Sequence, residues 1–129
     1  MTDIPSAVCS GSAPQPIGPY SQAVRAGGFL FMSGQIGVDP GTGILVEGGA
    51  ARQAEAALRN LSAVLEAAGA GMGDVVKVSV FLQDIADFPA VNEVYARYFS
   101  SWKPARTTVG GLRLPKGALV EIDAIARAP

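Results

Sequence analysis

The sequence has no histidine in 129 residues. That removes imidazole metal ligands, a histidine general base and every catalytic triad built on one. It has one cysteine, Cys9, so neither an intramolecular disulfide nor a thiolate cluster can form. Concentrated positive charge is missing as well: the ten Lys and Arg are scattered, and the net charge is -1. Proteins that track nucleic-acid phosphates need a basic patch, so no nucleic-acid partner is expected. No uninterrupted apolar run approaches the roughly 20 residues of a membrane span. Met1-Thr2-Asp3-Ile4-Pro5 lacks the cationic start and apolar segment of a signal peptide. The expected setting is therefore cytoplasmic, without a membrane partner. Chemistry must come from Glu, Asp, Arg, Lys, Tyr, Ser, Thr and backbone groups.

What is present is an apolar surplus. A hydrophobic fraction of 49% and a mean hydropathy of +0.30 are high for a short chain, because small domains have proportionally more surface. Burial against further copies of the same chain is the expected outlet.

Residues 1–16 are rich in Ser, Pro, Ala and Gly and read as a flexible N-terminal arm, with Cys9 incidental within it. Tyr20 to Arg25 predicts a short strand, and Gly27-Gly28 a turn. Phe29-Leu30-Phe31-Met32 is apolar on both alternating faces, the pattern of a strand covered on both sides. Asp39-Pro40-Gly41-Thr42-Gly43 carries turn chemistry. Ala50, Ala54, Leu58, Leu61, Leu65 and Ala68 then recur at spacings of three and four, marking an amphipathic helix that Gly69 should stop. Val76, Val78, Val80 and Leu82 alternate with Lys77, Ser79 and Phe81 as a strand. A second helix should start near Asp87 as N-cap, with Pro89 in its first turn. Two more strands are expected, Arg106 to Leu112 and Leu119 to Ala126, joined by a turn at Pro115-Lys116-Gly117. The order is ββαβαββ: one α+β domain over 17–129, with two helices covering one face of the sheet.

Two charged residues stand out. Arg106 opens a strand and shares a face with Thr108 and Gly110. Its fork matches a carboxylate, although an exposed strand-start arginine has the same pattern. Glu121 shares its face with Leu119, Asp123 and Ile125. Apolar neighbours would desolvate it and suit it to proton transfer; a solvated face is the alternative. If the last two strands are neighbours, Arg106 and Glu121 lie within reach, as an acid-binding pair or as a plain ion pair. Tyr20 stands at a loop entering a strand, where it either closes a pocket or only packs. Ser33-Gly34-Gln35 ends a strand with small residues that admit a ligand or merely turn the chain. Asn92 on the second helix is positioned to cap or bond a loop. The glycines at 37, 41 and 43 do not make a phosphate loop, since its Lys-Ser/Thr ending is absent.

Together these segments resemble the RidA (YjgF-like) family from about Ile17 to Ala126. The matching stretches are Ile17-Gly18-Pro19-Tyr20-Ser21-Gln22, Ser33-Gly34-Gln35-Ile36, Asp39-Pro40 with Thr42-Gly43, and Glu66-Ala67-Ala68-Gly69. They continue in Val91-Asn92 with Tyr95, Pro104-Ala105-Arg106-Thr107, Leu114-Pro115, and Glu121-Ile122 with Ala124-Ile125-Ala126. The resemblance implies a chorismate-mutase-like fold, assembled as a homotrimer with a central barrel and clefts between subunits. It implies a hydrolase, an enamine/imine deaminase that turns 2-aminoacrylate and 2-aminocrotonate into keto acids and ammonia without cofactor or metal. That role would be metabolite damage control. By the same resemblance Arg106 would bind the substrate carboxylate and Glu121 would assist water and protons. Tyr20, Ser33, Gly34 and Asn92 would line the pocket. Many relatives carry cysteine two residues after the arginine; here Thr108 stands there, leaving a hydroxyl or a backbone contact. Competing readings are a non-catalytic regulatory protein that binds small carboxylates, and a ribonuclease or translation inhibitor. The missing basic patch and the buried spacing of Tyr95, Tyr98, Phe99 and Trp102 speak against the last.

Overall fold

The computed structural model describes residues 4–129. Its strands and helices in chain order are β1 (Ser6–Val8), β2 (Ala23–Ala26), β3 (Phe29–Ile36), α1 (Ala50–Ala67), β4 (Val75–Leu82), α2 (Phe88–Tyr98), β5 (Ala105–Val109) and β6 (Val120–Arg127). They form one six-stranded sheet in the order β1-β2-β3-β6-β4-β5. All neighbours are antiparallel except β4 and β5, which run parallel because α2 carries the chain across between them.

Period-two burial sorts the sheet into two faces. In β3, Leu30 and Met32 are 1% and 7% exposed, whereas Phe29 and Phe31 are 43% and 46% exposed. Val78 and Val80 of β4 and Val120, Ile122 and Ala124 of β6 join Leu30 and Met32 beneath the helices. There they meet Leu58, Leu61, Val64 and Leu65 of α1 and Val91 and Val94 of α2. The opposite face, carrying Phe29, Phe31, Phe81 and Val109, has no layer over it among the described residues. Phe29, Phe31 and Val109 are among the exposed large apolar side chains of the chain.

Helix α1 ends where Gly69, at φ 77, takes the left-handed conformation and Ala70 donates back to the Leu65 carbonyl at 2.9 Å. Two buried amides on α1 hold the sheet ends that frame the site. Gln53 accepts from the Leu119 amide at 2.8 Å, and Asn60 donates to the Ile36 and Val38 carbonyls at 3.3 and 3.0 Å. Gly37 permits this: a Cβ there would sit 2.5 Å from the Gln53 carbonyl oxygen.

Three expectations are corrected. The segment 1–16, expected to be a flexible arm, is docked over its described residues. Ser6–Val8 pairs with β2, and Val8 and Ala13 are buried at 8% and 2% exposure. The Gln22 side chain accepts from the Ser10 amide at 2.6 Å and donates to the Ser10 and Pro14 carbonyls at 3.2 and 2.9 Å. An unpaired buried amide costs about 1–3 kcal/mol, so this clamp is what fixes the segment. Residues 1–3 lie outside the described residues. Second, the last two strands are not neighbours, because β4 lies between β5 and β6. Third, Asp87 holds the N-cap position of α2 with Pro89 in the first turn, as expected, but its side chain makes no capping bond. Asp84 does, accepting from the Ala86 amide at 2.9 Å, because a short 3-10 turn precedes α2.

Candidate functional site

Glu121 points to the open face of β6, opposite Phe81 of β4 and Ile36 of β3. Beside it the β3–β6 ladder loses register between Met32 and Gln35, which frees Ser33 and Gly34 from regular pairing. Ser33 is tied down instead: its amide donates to the Gln22 carbonyl at 3.0 Å and its hydroxyl to the Ser21 carbonyl at 2.6 Å. Gly34 is what lets the glutamate lie here. A Cβ on Gly34 would stand 2.9 Å from the Glu121 Cδ and closer still to its carboxylate oxygen. The carboxylate therefore lies across the backbone of a glycine at the end of a strand. It opens on a cavity of about 540 Å³ that Tyr20, Ser33 and Gly34 also line. Four of the expected site residues thus converge.

Lys116, which sequence reasoning used only as part of a turn, lines the same cavity. It is the sole non-glycine with positive φ among the described residues, at 59°, and its Nζ donates to the Gly43 carbonyl at 3.0 Å. The Asp39–Gly43 turn that receives it is closed by Asp39, whose side chain accepts from the Gly41 and Thr42 amides at 2.7 and 3.2 Å. The signal was visible in hindsight as a lysine inside a Pro-x-Gly turn, but turn composition says nothing of where a side chain reaches.

Partial burial pushes the Glu121 carboxyl above its ordinary range, and the negative charge of Asp123, two residues along the same face, pushes it further. A raised folded-state value means the folded chain holds this proton more tightly than the unfolded chain does. Ionisation then costs stability, increasingly as pH rises from the ordinary carboxylate range through the raised value. Glu121→Gln should accordingly raise Tm at neutral pH, and the gain should fade as the buffer is taken below the ordinary carboxylate range. Thermal melts of both proteins across pH check this; an unchanging difference would separate the gain from the titration.

Arg106 occupies a different place. It pairs in register with buried Val78, so it points to the helix face, and Nη1 donates to Asn92 Oδ1 on α2 at 2.7 Å. Its guanidinium carbon lies 4.6 Å from the Tyr95 ring centre and 5.1 Å from that of Phe88. Asn92, Tyr95 and Arg106 line a second cavity of about 380 Å³. Asn92 thus meets the arginine directly. Thr108, also on the helix face, lines neither cavity, and its buried hydroxyl has no hydrogen-bond partner. Trp102 is not core: it is 50% exposed, with its indole N–H given to the Val75 carbonyl at 2.7 Å.

Arg106 and Glu121 therefore belong to opposite faces. Counting two strand spacings and three residues of offset, their backbones lie roughly 10 Å apart across the sheet and roughly 10 Å along it. They form no ion pair, and their cavities share no residue. One chain thus carries two separate groupings, a carboxylate with raised proton affinity at Glu121 and a guanidinium without a carboxylate partner among the described residues at Arg106.

A small α+β domain with a carboxylate seated on a strand-end glycine is the class these features define. The family model described as Endoribonuclease L-PSP matches residues 10–128. A RutC family protein of Pyrococcus horikoshii is 56% identical over 115 residues, 89% of this chain and 91% of the relative. The human 2-iminobutanoate/2-iminopropanoate deaminase is 49% identical over 119 residues, 92% of this chain and 87% of the relative. Among solved structures, the YjgF gene product of E. coli superposes with a TM-score of 0.91 at 42% identity, covering 96% of this chain and 99% of that one. E. coli TdcF with bound serine also gives 0.91, at 40% identity and with the same coverage. The chain belongs to the RidA (YjgF-like) family. The match begins at residue 10, inside the segment expected to be a loose arm. Among the described residues no helix is long and apolar enough to cross a membrane.

Proposed function

We propose that this protein is a cofactor-free, cytoplasmic imine deaminase that hydrolyses 2-imino and 2-enamino acids, such as 2-aminoacrylate and 2-aminocrotonate, to 2-keto acids and ammonia. The observation that carries this reading is Glu121, a partly buried carboxyl with a raised proton affinity beside Ser33 and Gly34 in a half-open cavity. A carboxyl whose proton affinity is raised in this way is better suited than an ordinary one to both giving and taking a proton in the reaction. Relatives at about half identity that are named 2-iminobutanoate/2-iminopropanoate deaminase support the substrate class.

The chemistry needs little more than placement, because a protonated imine is already electrophilic. The arginine fork holds the substrate carboxylate by two parallel hydrogen bonds. Glu121 takes a proton as water adds its oxygen to C2, giving a carbinolamine. It returns that proton to nitrogen, then takes the hydroxyl proton as the C2–N bond breaks, so that the carbonyl forms and ammonia leaves. Since Arg106 and Glu121 stand on opposite faces of one chain, a single substrate can engage both only where two copies meet. The uncovered apolar sheet face, with Phe29 and Phe31 43% and 46% exposed, supplies a surface for that meeting. A homotrimer with active sites between subunits fits both needs.

A ribonuclease reading has the family model's description behind it. The scattered cations and a net charge of -1 disfavour it. The deciding assay generates imines with an amino-acid oxidase beside semicarbazide, which traps them as absorbing semicarbazones. The protein should lower semicarbazone formation for at least one amino acid of a panel. No effect across the panel would sink the deaminase reading and leave carboxylate binding without turnover.

A further inference from the structure

We propose that Phe88 and Tyr95 are positioning residues for Arg106, an aromatic clamp on α2 that presents the guanidinium ready-made to a carboxylate. The proposal rests on the reading of Arg106 as the anion-binding group and goes beyond it to what makes that group competent. Phe88, Asn92 and Tyr95 follow one another at spacings of four and three, so they share one face of α2. All three meet the same side chain: the two rings lie 5.1 and 4.6 Å from its carbon, and Asn92 accepts from Nη1 at 2.7 Å. No carboxylate among the described residues pairs with Arg106. An exposed, unpaired arginine ordinarily samples many rotamers, and a ligand must then freeze them. Here one donor is already committed to Asn92 and the plane is held by rings, which leaves the remaining N–H groups in a fixed fork.

Tyr95 acts through its ring. Its hydroxyl is buried and has no hydrogen-bond partner, and burial raises its proton affinity. A hydroxyl shielded from solvent and bonded to nothing cannot touch a ligand, whereas the ring is what lies against the guanidinium. Phenylalanine would keep that ring, and leucine would keep bulk without the π face.

The test uses the full chain and 2-oxobutanoate, the expected keto-acid product, as titrant in calorimetry, alongside KM and kcat for imine turnover. Tyr95→Leu should weaken 2-oxobutanoate binding and raise KM on the order of tenfold, the fold-change of a lost cation–π contact, with kcat nearly kept. Tyr95→Phe should restore wild-type affinity and leave Tm unchanged or higher, since it deletes an unsatisfied buried group. Phe88→Leu, at the partly buried end of the clamp, gives the same split if Tyr95→Leu folds poorly. Wild-type affinity in a folded leucine variant overturns the clamp, and so does equal loss in Tyr95→Phe. Failure of the underlying reading looks different: Arg106→Ala itself would then bind 2-oxobutanoate as wild type does.

Discussion

Replacing Glu121 by glutamine is expected to lower kcat for imine hydrolysis by roughly 10²–10⁴, the contribution of a positioned general acid-base. Glutamine matches the carboxylate in size and still hydrogen-bonds, but cannot cycle a proton. The 2-oxobutanoate affinity should stay within a few-fold, because the carboxylate anchor lies in the other half-site. Gly34→Ala makes an independent check by the same route. Its methyl group would occupy space the Glu121 carboxyl now fills, so the glutamate must swing away while its charge remains. Both variants should therefore lose rate with the chain folded, and steady-state kinetics with a thermal melt distinguishes that from collapse. An unimpaired kcat in Glu121→Gln would remove Glu121 from the mechanism and transfer the proton steps to water.

That Tyr20, Ser33 and Gly34 gather with Glu121 followed from the family resemblance; what the residues themselves made readable is the face each strand side chain takes, and the reason is locality. Alternation in 29–32, 76–82 and 119–126 assigns each side chain to a face, and the structure keeps those assignments in β3, in β6 and from Lys77 onward in β4. A register shift between Val75 and Lys77 turns Val76 outward, 38% exposed, and buries Val75 in its place. The helical spacing from Ala50 to Ala68 likewise reports a face of α1 that does face the sheet. What alternation cannot encode is the neighbour. That β4 slots between β5 and β6 depends on where α2 delivers the chain, a non-local outcome. The condition under which Arg106 and Glu121 would lie within reach, that the last two strands be neighbours, failed there. Each was placed correctly relative to its own strand, and only their relation was unreadable. The N-terminal segment failed for another reason. Its composition is that of a loop, and what docks it is distant in sequence: the pairing of Ser6–Val8 with β2, and Gln22, twelve residues beyond the Ser10 backbone it clamps. Lys116 was missed similarly: its reach to Gly43 spans 73 residues of sequence.

The separation of Arg106 from Glu121 also makes a prediction that no single-chain site can mimic. Arg106→Ala should lose most turnover by releasing the substrate carboxylate, raising KM by two orders of magnitude or so, as removal of a charge-assisted pair worth about 3 kcal/mol implies. Glu121→Gln should lose it by rate. Neither homogeneous variant has an intact site. When the two are co-expressed with different tags and the mixed assembly is isolated, each Arg106→Ala subunit still carries Glu121, and each Glu121→Gln subunit still carries Arg106. Wherever the wild-type halves face one another a complete site returns. In a trimer, each mixed assembly holds two subunits of one variant and one of the other, so one of its three sites regains both groups, because each site draws one half from each of two adjoining copies. Activity should thus rise from near background to about a third of wild type per subunit. Mixing the two assemblies after they have formed should restore less than co-expression, in proportion to subunit exchange. If the mixed assembly stays at background, Arg106 and Glu121 do not act on one substrate from two copies. The opposite-face geometry would then assign them separate duties, anion binding at one cavity and proton transfer at the other.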